Sequence, residues 1–87
     1  MPLIHDEDGG YLEVRGRGFV YYHSAQGKGY QVNSEMVGSE DYDIAVYASD
    51  VTLMDGRTRV AEPERIEVIS RIKKLSVRGH IRIRVFD

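Results

Sequence analysis

The chain has no cysteine and no tryptophan, and only two of its 87 residues are proline. Without cysteine there is neither a disulfide nor a thiolate metal site, which suits a reducing cytoplasm. No apolar run approaches the roughly 20 residues that a membrane span needs. Met1-Pro2-Leu3-Ile4 passes straight into His5-Asp6-Glu7-Asp8, so no secretory signal is expected. With tryptophan missing, six tyrosines carry most of the aromatic content: Tyr11, Tyr21, Tyr22, Tyr30, Tyr42 and Tyr47. The hydrophobic fraction of 41% is ordinary for a globular chain and too high for a disordered one. The length predicts one small domain over residues 1–87, which pairing with another chain would help to stabilise.

Charge is the most informative thing present. Residues 1–56 hold ten acidic and three basic side chains, a net −7, whereas residues 57–87 hold four acidic and nine basic, a net +5. A total of −2 therefore hides a dipolar chain, and fields of opposite sign suit docking of a charged partner.

Residues 1–9 read as a mobile acidic lead-in. Tyr11–Arg15 alternates as a strand, Gly16-Arg17-Gly18 reads as a turn, and Phe19–His23 as a second strand. A loop over Ser24–Gly29 returns the chain into Tyr30–Ser34. Asp43–Ala48 reads as a fourth strand. Val51–Met54 and Arg57–Val60 flank Asp55-Gly56, which predicts a hairpin. The helix is expected over about 62–78: Pro63 and acids open it, and basic residues fill its later turns. Ile66, Ile69, Ile72 and Leu75 form its apolar stripe, and Gly79 stands where a left-handed cap belongs. Residues 80–86 alternate as a closing strand, with Ile81, Ile83 and Val85 on one side and His80, Arg82, Arg84 and Phe86 on the other. These elements predict an α+β fold, a mostly antiparallel sheet of five to six strands with one helix on one face. One helix cannot cover both faces, so the other meets solvent, a second copy or a partner.

No catalytic, metal or cofactor signature emerges, and a non-enzymatic role is expected. Arg17–Tyr22 is partly similar to an aromatic RNA-binding strand, but Val20 replaces the small residue and the strand order is wrong. Gly27-Lys28-Gly29 lacks the other residues of a phosphate loop. His5-Asp6-Glu7-Asp8 is too local to converge on an ion. His23 and His80 have no carboxylate partner nearby in sequence, and Ser24, Ser34, Ser39 and Ser49 lie outside any nucleophile elbow. The acidic run Glu40, Asp41 and Asp43, with Tyr42, Tyr47 and Asp50, is the candidate partner-binding site. Arg82 and Arg84 on the open sheet face are the alternative interface. The basic set Arg71, Lys74, Arg78, Arg82 and Arg84 could meet phosphate, but a sequence pI near 5.9 disfavours a nucleic-acid binder.

Several segments together carry a family resemblance. They are Gly10–Val14, Tyr30–Met36, Asp41–Val51, Glu62–Ile66 with the basic helix after it, and Arg78–Val85. In these the chain resembles the small immunity proteins of bacterial polymorphic-toxin and contact-dependent growth inhibition systems. The resemblance implies one-to-one binding and neutralisation of a toxin domain in the cytoplasm. It transfers no site residue, since such families share no catalytic residues. A self-associating adaptor domain, a possible homodimer through its open sheet face, is the alternative, followed by a nucleic-acid-associated regulator.

Overall fold

The computed structural model describes residues 3–15, 19–38 and 40–86. Six strands form one sheet in chain order: β1 (Leu3–His5), β2 (Tyr11–Arg15), β3 (Phe19–His23), β4 (Gly29–Met36), β5 (Ile44–Leu53) and β6 (Ile83–Phe86). Neighbours from β1 to β5 are antiparallel, and β6 runs parallel to β5. The one helix among the described residues, α1 (Glu62–Arg78), lies between β5 and β6 in the chain, because a parallel return needs a crossover. The fold is thus the expected α+β arrangement, with the helix on one face and a strand after it.

Period-two alternation decides the faces. Leu12 and Val14, Val20 and Tyr22, Tyr30 and Val32, and Ile44, Val46 and Ala48 point toward α1 and are buried with Val68, Ile69, Ile72 and Leu75. At the start of the helix Glu64 accepts from the Tyr30 hydroxyl and pairs with Lys28 at 2.6 Å, tying α1 to the β3–β4 hairpin.

Several expectations are corrected. The lead-in contributes β1, and Asp6 is buried behind it. Ile66 is 55% exposed, because Val68 and Leu75 turn the core face of α1 away from it. Residues 44–53 form one strand rather than two. Opposite Asn33 the β4–β5 register slips, Val32 facing Val51 but Ser34 facing Val46, so the irregularity lies where two strands were expected. Arg57–Val60 adds only a bridge from Arg59 to Thr52, although the Asp55-Gly56 turn is there. The last strand begins at Ile83. Gly79 has φ −89°, and His80 takes the left-handed position at φ 58°. Ile81 N–H then reaches the Ser76 carbonyl at 2.8 Å and closes the helix end. Gly79 is small for another reason: a Cβ there would strike Ile4 of β1. The expected Gly16–Gly18 turn and Ser39 lie outside the described residues.

Candidate protein-binding face

The face turned away from α1 gathers the aromatic and charged side chains that the core rejects. At its β5–β6 end, Arg82 forks onto Asp43, with Nη2 2.8 Å from Oδ1 and Nε 3.3 Å from Oδ2. The third Arg82 nitrogen, Nη1, donates to the Glu40 carbonyl. The Arg82 carbonyl accepts from Asp43 N–H at 2.8 Å and Ile44 N–H at 3.2 Å, so residue 82 fixes the loop before β5 through both backbone and side chain. Hydrogen bonding from Arg82 holds the Asp43 carboxyl below its ordinary range and keeps the guanidinium charged.

Beside this clasp lies an aromatic cluster. The Phe86 ring is 6.1 Å from Tyr42, edge-on, and 6.1 Å from Tyr47. Arg84 covers both Phe86, at 5.4 Å, and Tyr42, at 5.8 Å. The Tyr47 hydroxyl donates to Glu35 at 3.3 Å, and that carboxylate charge raises the phenol above its ordinary value. The two sets expected separately, Glu40 to Asp43 with Tyr47 and Arg82 with Arg84, are therefore one surface. Asp50 belongs elsewhere: it lies 3.8 Å from Arg59 and lines a polar hollow of about 290 Å³ with Gln31, Asn33 and Thr52.

The other end of the same face was not visible in the sequence. His5, Tyr11 and His23 form a row across β1, β2 and β3, with Tyr11 stacked on His23 at 4.3 Å. His23 Nε2 lies 3.4 Å from Glu13, which also pairs with Arg15 at 2.8 Å, and Arg15 covers Tyr21. His23 thus does have a carboxylate neighbour, ten residues back in the chain. Cross-strand registry supplies it, and no local spacing announces it. Two of the six tyrosines, Tyr22 and Tyr30, are absent from this face because they are core residues.

The charge division acts within the fold. Asp6 meets Arg71 at 3.3 Å and Lys74 at 3.0 Å, Asp8 meets Arg71, and Glu7 meets Arg78 at 3.8 Å. The basic set is therefore split, with Arg71, Lys74 and Arg78 along the β1 side and Arg82 and Arg84 at the opposite edge.

No protein-family model, curated protein or solved structure matches this chain. Among the described residues no helix is long and apolar enough to cross a membrane, and no three metal-ligating side chains converge.

Proposed function

We propose that this chain is a non-enzymatic protein-binding module, an immunity protein that neutralises a toxin domain in the cytoplasm. The observation that carries the reading is the surface at the β5–β6 end. Three aromatic rings, Tyr42, Tyr47 and Phe86, lie beside an arginine that covers two of them, within reach of solvent. Tyrosine and arginine are the residue types that anchor protein interfaces. Glu40 and Asp41 stand exposed next to these rings and supply negative charge at the rim. Asp43 does not add to it, being matched by Arg82.

Inhibition of this kind requires tight contact and no chemistry, and the rings of a sheet face are rigid enough to supply it. The sheet backbone fixes Tyr47 and Phe86, and the Arg82 clasp holds the loop that carries Tyr42, before the partner arrives, which lowers the ordering cost of binding. The reading predicts a toxic domain encoded beside this chain's own gene, and the test is co-expression with that domain. Cells should survive with the native chain and die with the double variant Tyr42→Ala and Arg84→Ala, purified and confirmed folded. Death with the native chain would contradict the reading. A chain that instead doubles its mass through this same face would favour the adaptor alternative.

A further inference from the structure

The second feature of the molecule is a groove on the other side of β6. The helix packs across β1, β2, β3 and β5 and leaves the β6 edge beside an apolar trough. Two adjoining cavities, of about 650 Å³ and about 390 Å³, share Lys73 and Val85 in their walls. The α1 wall carries Ile66 and Val77, 55% and 76% exposed, on a helix face distinct from the core stripe. The floor is Ile81, Ile83 and Val85, all partly buried hydrophobics.

The backbone of β6 matches this trough. It is the last strand of the sheet, and among the described residues it pairs with β5 alone. The Arg82 carbonyl accepts from Ile44, so parallel alternation gives β5 the backbone groups of Arg82, Arg84 and Phe86. The N–H and C=O groups of Ile83 and Val85 then point outward from the edge. The residues whose side chains floor the trough are thus those whose backbones face away from the sheet. Such an edge is a template for another strand.

We propose that the β6 edge accepts an extended segment of another protein as a seventh strand, with apolar residues alternating with acidic ones. Its apolar side chains enter the trough beside Ile66, Ile83 and Val85. Its acidic side chains fall on the opposite face, next to Arg84. Charge selects this occupant over a second copy of the chain. Pairing β6 with β6 about residue 84 would set Arg84 of one copy beside the same arginine of the other, and like charges across strands repel. This mode of binding depends on strand pairing and not on toxin recognition, so either can fail alone.

The test uses the labelled full chain and a short synthetic peptide alternating valine and glutamate. On titration the Ile83 and Val85 amides should shift and gain protection from hydrogen exchange. The same peptide N-methylated along one edge, which leaves the protein untouched, should give no protection. Exchanging its glutamates for lysine, or introducing Arg84→Glu, should weaken binding about three- to tenfold. Val85→Pro removes one outward N–H and none of the β5 pairing, and should abolish protection at Ile83. Equal binding by the lysine peptide would overturn the proposal. So would a peptide response that leaves the Ile83 and Val85 amides unchanged. Protection of those amides in the chain alone, with a doubled mass by light scattering, would assign the edge to a second copy and also overturn it.

Discussion

The carboxylate of Asp6 lies 3.0 Å from the ammonium of Lys74, with only 1% of its side chain exposed while the lysine remains half in solvent. Arg71 approaches its other oxygen at 3.3 Å. The acidic start of the chain and the basic helix are joined at this point, 68 residues apart in sequence. Hydrogen bonding from Lys74, opposed by burial, holds the Asp6 carboxyl below its ordinary value of 3.8. A lowered acid stabilises the fold above its unfolded pKa, and that contribution is lost as pH falls through the lowered value. Asp6→Asn should therefore lower Tm at neutral pH, with the gap to the native chain closing below about pH 4. Thermal melts from pH 7 downward read this, and a gap that stays constant would exclude the ion pairs as its source.

The helix should divide into a core stripe and a groove stripe. Ile72 is fully buried, so Ile72→Ala should cost about 2–5 kcal/mol through lost transfer energy and the remaining cavity. Ile66→Ala should change stability by no more than about 0.5 kcal/mol, being a surface substitution. Urea unfolding of both variants distinguishes the two. Comparable losses would place Ile66 in the core after all.

The turn after β5 has its own acid signature. The Thr58 hydroxyl and N–H, with the Arg57 N–H, bring Asp55 down to about 2. Its contribution is complete above pH 3.8 and fades as pH falls toward about 2. Gly56 beside it has φ 71°, so Gly56→Ala should cost about 1–2 kcal/mol at any pH. Asp55→Ala should be destabilising at neutral pH and close to silent at the acid end. Melts of the two variants across that range separate charge from backbone strain.

Local pattern revealed what depends on local pattern. Alternation in Tyr11–Arg15, the β-rich aromatic run Phe19–His23, and the three- and four-residue spacing of Val68, Ile69, Ile72 and Leu75 marked these elements locally. Leu3–His5 is too short to alternate convincingly, and only its pairing with β2 makes it a strand. Ser49 and Asp50 looked like a break because polar residues interrupt the strand, yet the sheet absorbs them as a register slip. Gly79 offered the signal of a left-handed cap, but packing against Ile4 claimed the glycine and passed that conformation to His80. For the candidate surface, residue types were legible and neighbours were not. Arg82 and Asp43 are 39 residues apart, and the parallel β5–β6 register brings them together. His23 and Glu13 meet in the same way across β2 and β3.

An immunity protein requires a cognate toxin domain, and association kinetics with such a domain test the proposed binding most directly. Asp43 should be left intact, because replacing it would also release Arg82 from its clasp. The variant Glu40→Gln lowers the rim charge and keeps the backbone carbonyl that Arg82 holds. It should associate several-fold more slowly, with a flatter salt dependence and an unchanged dissociation rate. Tyr42→Ala should do the reverse, leaving association nearly intact and speeding dissociation by about 30-fold or more, the signature of an interface anchor. Stopped-flow association and dissociation rates for these variants, measured across a salt series, would contradict the account if both matched the native chain.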